Sequence, residues 1–263
     1  MRLRAFQILV LSAALAATVS CVGGPRLRPL DARVLERWPG AADVAFGLEG
    51  TGRSHGHVAN LLVWNTGAAP VTVTIPEGSV LQASPGVPVY QRYGLWDAYA
   101  ATLAPGERRW LELLGACLDP DLPPWPRWER EPDASILSAR EWASLGADGR
   151  PATLDARKLV AFLATTKAPF EEAKRSPGYV APAVPMADDV VRQWAVNATV
   201  GAKTKRDLEA TIARESPSMP VAERARTTEQ VWAAAKHVVE VGGKAAAKAQ
   251  GIDWAKLDLT LKS

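Results

Sequence analysis

The chain has 263 residues, 48% hydrophobic and 22% charged, which is ordinary for a globular protein and leaves room for one large domain or two small ones. Its 31 basic and 28 acidic groups give a formal charge of +3, and two of the basic ones, Arg2 and Arg4, fall in a leader-like segment. The remainder is close to neutral, which shows no excess of Lys and Arg of the kind that binds nucleic acid by displacing counterions, and makes nucleic acid and anionic membrane surfaces poor candidate partners.

Residues 1–20 have the layout of a secretory signal peptide. Arg2 and Arg4 precede an apolar run from Ala5 to Ala17, and small residues lead to Cys21. The run is too short to span a bilayer, so export is expected. Thr18-Val19-Ser20-Cys21 resembles the bacterial lipobox, with Thr18 where leucine is usual. That resemblance implies a diacylated Cys21, a membrane-anchored lipoprotein of the cell envelope, and a tether over 21–39 that starts with the turn-prone Val22-Gly23-Gly24-Pro25. Cleavage after Ala14-Leu15-Ala16 is the alternative and would leave a soluble periplasmic or secreted protein. Only Cys21 and Cys117 exist. With Cys21 acylated, Cys117 has no intramolecular partner and is either a buried thiol or a reactive one; with Cys21 free, a Cys21–Cys117 disulfide is open.

Residues 40–118 read as short strands. The apolar run Val58–Trp64 ends at the turn Asn65-Thr66-Gly67, and Val71–Ile75 alternates with period two, which predicts a hairpin. Further strands are expected over Ser79–Ala83, Val87–Arg92, Tyr99–Leu103 and Arg108–Leu118. Spacing of about ten residues, punctuated by Pro and Gly, favours an Ig-like antiparallel β-sandwich over a parallel sheet. Ten tryptophans against four tyrosines and four phenylalanines suit such a core, or an interface, equally well.

Residues 119–132 are proline-dense and predict an extended connector. Trp125 and Trp128 within it are expected to pack back onto a core; a polyproline ligand for an aromatic groove is the other reading. Beyond it, 133–263 is read as a helical region. Helices are predicted over Asp133–Leu145, Thr153–Lys167, Asp188–Val200, Thr204–Arg214 and Thr227–Val241. Thr204 with Asp207 and Thr227 with Gln230 resemble capping boxes, Gly242-Gly243 reads as a stop, and a proline-rich stretch, Ser176–Pro185, separates the first two helices from the rest. The alternating tail Lys256–Lys262 predicts a strand returning to the sheet. The fold class expected is therefore α+β, an N-terminal Ig-like antiparallel β-sandwich followed by a helical region.

No serine-nucleophile elbow, zinc-protease helix, phosphate-binding loop or dinucleotide fingerprint occurs, so the usual enzyme signatures and any cofactor are not expected. His55 and His57 lie on one side of an extended segment and are the only metal-ligand candidates; they are too few for a protein-held site and read as loop histidines ahead of a strand. The segment Gly115-Ala116-Cys117-Leu118-Asp119 and the later Val191-Arg192-Gln193-Trp194-Ala195-Val196 resemble the Tyr-Cys-Leu strand end and Gln-x-Ala-Ile-Trp helix of uncharacterised exported bacterial proteins with an Ig-like strand module, and more distantly of secreted thioester domains. Ala116 stands where that pattern has an aromatic, and Asn197 where it has tryptophan. The resemblance implies that the Cys117 thiol displaces ammonia from the Gln193 amide, leaving an acyl group open to external nucleophiles. Read from residue type alone, Cys117 is a small buried hydrophobe and Gln193 an exposed helix residue beside a core tryptophan. The function expected is an exported, lipid-anchored, non-enzymatic envelope protein that acts as a structural or interaction module toward a protein or cell-surface partner, with the thioester-type covalent adhesin as the alternative.

Overall fold

The computed structural model of the protein describes residues 36–38, 41–83, 90–127, 134–146, 148–259 and 261. The expected signal peptide, Cys21 and the expected tether as far as residue 35 lie outside them, as do the strand expected from Val87 up to residue 89, and Trp128.

The most apolar segment occupies the middle of the sheet. Strand β3 (His55–Asn65) buries Val58, Ala59, Leu61, Leu62 and Val63 in succession, so neighbouring side chains on both faces leave water. It pairs antiparallel with β2 (Ala41–Gly50) on one side and β8 (Arg108–Cys117) on the other, the latter from His55 opposite Ala116 to Trp64 opposite Arg108. Adding β1 (Glu36–Trp38), β5 (Val80–Gln82), β6 (Tyr93–Leu95) and β9 (Ser135–Leu137) gives seven strands in the order β1-β2-β3-β8-β6-β5-β9. All these pairings are antiparallel.

β4 (Val71–Ile75) and β7 (Tyr99–Leu103) form a separate two-stranded ribbon. Their alternation buries Val73, Ile75, Ala101 and Leu103 in the cluster that holds Phe46, Leu48, Leu61 and Val63. The hairpin expected between Val58–Trp64 and Val71–Ile75 is therefore not made. Asn65 at the end of β3 donates from Nδ2 to Ala69 O (2.8 Å) and Leu103 O (3.1 Å), which ties the chain to the ribbon instead of back along β3. β4 buries a single face and pairs with β7, which alternates in the same way.

The helices follow. α1 (Ala139–Ala143) begins at a complete capping box between Ser138 and Glu141, so the helix expected from Asp133 starts later and Ser135–Leu137 is strand β9 instead. The single helix expected over 153–167 is two, α2 (Ala156–Leu163) and α3 (Lys167–Arg175). The Thr165 and Thr166 hydroxyls donate to Phe162 O and Leu163 O, both at 2.7 Å, and close α2. α4 (Ala187–Thr199) and α5 (Lys205–Glu215) stand close to where the periodicity put them, α5 with the Thr204 and Asp207 capping box in place.

α6 (Val221–Ala249) follows Pro220, so it starts before the expected cap at Thr227, and it runs straight through Gly242-Gly243. A Cβ at Gly242 would come 2.8 Å from Ala164 O, and one at Gly243 2.6 Å from the Trp254 ring. The two glycines serve close packing, not termination. The tail makes a 3-10 turn at Trp254–Lys256 and then buries Leu259 and Leu261 in the helical core. Among the described residues it forms no strand, because its apolar side chains find cover on the helices first.

Sheet and helices share a third cluster, in which Val80, Trp96, Ala116 and Leu118 pack against Trp142, Leu159, Phe162 and Val196. The fold is thus mixed helix and sheet, a curled antiparallel sheet followed by helices, with residues 35–263 in one compact unit. Among the described residues no helix is long and apolar enough to cross a membrane. Helix meets sheet tightly at Gly94, where a Cβ would lie 2.1 Å from the Phe162 ring. Gly94→Ala is expected to cost about 1–3 kcal/mol through overpacking, read as a lower urea midpoint with an unchanged denaturant slope.

Candidate functional site at the end of β8

Cys117 is the last residue of β8, one position past the point where β3 begins. Its main chain needs partners on that side, since a buried N–H or C=O left alone is costly. The Cys117 N–H donates to Ser54 O at 2.8 Å and also to Gln193 Oε1 at 2.9 Å. In return Gln193 Nε2 donates to Cys117 O at 3.2 Å and to Asn197 Oδ1 at 2.7 Å. The Gln193 carboxamide thus lies against the Cys117 peptide as another strand's peptide would. At 2% exposure for Cys117 and 5% for Gln193, the pairing is shielded from water. Gln193, expected on residue type to be exposed, is buried.

Two anchors hold this junction. Arg92, just before β6, binds Asp119 through Nε (2.8 Å) and a terminal nitrogen (2.6 Å), and its N–H donates to the same carboxylate (2.9 Å). Leu118 N–H donates to Arg92 O at 2.8 Å, so the exit from β8 is clamped on both sides of Leu118. On α4, Arg192 is buried with its guanidinium 5.0 Å from the Trp96 ring centre and 4.2 Å from that of Phe170, wedging the helix against the sheet's loop and α3. Neither anchor was legible in advance. Asp119 two residues after Cys117 was the available signal for the first; nothing marked the second.

Burial pushes the Cys117 thiol up to about 12, against a smaller opposing effect of a hydrogen bond from the Asp119 main chain. The thiol is therefore neutral near pH 7. His55, paired across from Ala116, is half-buried, and burial lowers its pKa against the attraction of Asp189 and Glu215. His57 is engaged elsewhere, Nε2 to Asn60 Oδ1 at 2.8 Å. Among the described residues no group of three or more metal-ligating side chains gathers. Trp125, in the proline-dense connector, is fully buried edge-on to Tyr93, ring centres 5.7 Å apart.

A cleft of about 620 Å³ is lined by Ser54, His55, Cys117, Gln193 and Asn197, with α5 and α6 supplying much of the opposite wall. The chain matches no family model, and neither curated proteins nor solved structures offer a match.

Asp119→Ala would leave the Arg92 guanidinium buried without its carboxylate and is expected to lower stability by about 3–5 kcal/mol, read from urea unfolding. With Cys117 as a free thiol, its raised folded pKa makes the neutral form the stabilised one. That contribution is complete below the unfolded thiol's ordinary value near 9 and declines as pH rises toward about 12. Tyr93 and Tyr99, also raised by burial, act in the same direction. Cys117→Ala is expected to flatten part of the alkaline fall in unfolding free energy between pH 9 and 11 and to leave the tyrosine part.

Proposed function

We propose that this is an exported envelope protein, anchored through a lipid on Cys21, that works as an interaction module through the cleft at the end of β8. Export and anchoring rest on the leader pattern of residues 1–20 and the lipobox-like Thr18-Val19-Ser20-Cys21. The partner is a protein or cell-surface molecule. The module is an Ig-like sandwich, a reading supported by the β4 and β7 ribbon sharing one core with β2 and β3. The observation that carries the cleft's role is the buried Gln193 carboxamide on the Cys117 main chain beside a 620 Å³ opening.

The same observation favours a second reading, in which attachment is covalent. Here the Cys117 Sγ–H attacks Gln193 Cδ, the Sγ–Cδ bond forms as the Cδ–Nε2 bond breaks, and Nε2 leaves as ammonia carrying the thiol proton. The Cys117 N–H already donates to Oε1, where negative charge gathers during attack. A primary amine of the partner then attacks Cδ, forms an amide and returns the thiol to Cys117.

Intact mass under denaturing conditions separates the two. Covalent chemistry predicts loss of one ammonia, methylamine uptake, and neither change in Cys117→Ala or Gln193→Ala; an unshifted mass leaves the non-covalent module. For the anchor, the wild-type chain is expected in the membrane fraction with incorporated fatty acid, and Cys21→Ala in the soluble fraction. Equal partitioning of both would remove the lipid.

A further inference from the structure

Asp189, Gln193 and Asn197 stand four residues apart on α4 and so form one stripe along the helix. Its middle residue meets Cys117. The third, Asn197, is where the resembled helix pattern has tryptophan, and the substitution puts an oxygen acceptor beside the amide. We infer that Asn197 is a positioning residue for thioester closure, holding the Gln193 amide nitrogen so that the carbonyl oxygen faces the Cys117 N–H. This rests on the covalent reading above.

A carboxamide has two ends of similar shape and opposite hydrogen-bonding character. In the orientation present, Oε1 accepts from the Cys117 N–H, and Nε2 donates to Cys117 O and to Asn197 Oδ1, its shortest contact at 2.7 Å. Turned over, Oε1 would face Cys117 O and Nε2 would face the Cys117 donor, so the Cys117 peptide sets the polarity of the amide. Asn197 holds in place the nitrogen that departs. The attacked carbonyl is thereby kept on the one donor that stabilises its developing charge.

The test is closure rate. Concentrated ammonium opens the thioester to the Gln193 carboxamide and the Cys117 thiol, and after its removal the loss of ammonia is followed by intact mass. Asn197→Leu removes the acceptor at similar volume and is expected to close about fivefold more slowly, the factor one ordinary hydrogen bond supplies. Asn197→Asp keeps an acceptor, now charged, and is expected to close faster than the leucine variant. Asn197→Ser, too short to reach Nε2, serves where leucine impairs folding, with the same slowing expected. Urea midpoints measured alongside separate closure from stability. Wild-type closure speed in the leucine or serine variant, or slowing in the aspartate variant equal to theirs, overturns the assignment while the covalent reading stands. A wild-type chain that never loses ammonia overturns the covalent reading and this inference with it.

Discussion

The Cys117 peptide lies at the end of a buried ladder, and its polar groups there must be satisfied without a full strand alongside. Ser54 O accepts the N–H, but the carbonyl meets Gln193 Nε2 from a helix that comes 76 residues later. A side-chain amide carries the same donor and acceptor as a peptide, so α4 completes the sheet at this point by imitating it. That requirement fixes the rotation of α4 about its axis. With Gln193 turned to Cys117, Asp189 falls next to Gly56, with Oδ2 3.3 Å from where a Cβ on that residue would stand, and Arg192 turns to Trp96 and Phe170.

Around this contact, aromatic bulk joins sheet to helices. Trp96 and Trp142 are fully buried in the shared cluster, and Trp142 meets Phe162 edge-on with ring centres 5.6 Å apart. Lys158 lies 3.8 Å from the Trp142 ring centre and donates to Trp142 O at 3.1 Å. Burial lowers its pKa to about 8, with Arg92 nearby acting in the same direction. The Gly94 backbone admits Phe162 where any side chain would block it. Such a junction is intolerant of volume change, because interiors pack at crystal-like density.

Strands with one-sided alternation were largely readable: Val71–Ile75 stands as expected, and a strand stands in the stretch expected around Tyr99–Leu103. Helices with a cap and a clean apolar stripe were nearly so, as at α5. Pairing was not readable, and the expected hairpin after Asn65 gave way to a crossing into the ribbon because proximity in sequence says nothing of how many faces a strand must bury. Glycine misled at Gly242-Gly243, where the Ala164 carbonyl and the Trp254 ring, not helix termination, require the absence of a Cβ. Of the site, the residue types of Cys117 and Gln193 were singled out by resemblance; Asn197 was noted only as a departure, and Arg92 not at all.

The sequence by itself determined what depends on local order: the leader pattern, the near-neutral charge, the alternation of strands and the caps of helices. These are written in residues within a few positions of one another, where periodicity and side-chain chemistry act directly. The tertiary structure alone decided that Gln193 is buried and not exposed, that its amide lies on Cys117, and that Asn197 holds its nitrogen. A contact across 76 residues depends on how two separately formed surfaces dock, and that follows from packing and from the demand that buried polar groups be paired, neither of which leaves a periodic mark on the chain.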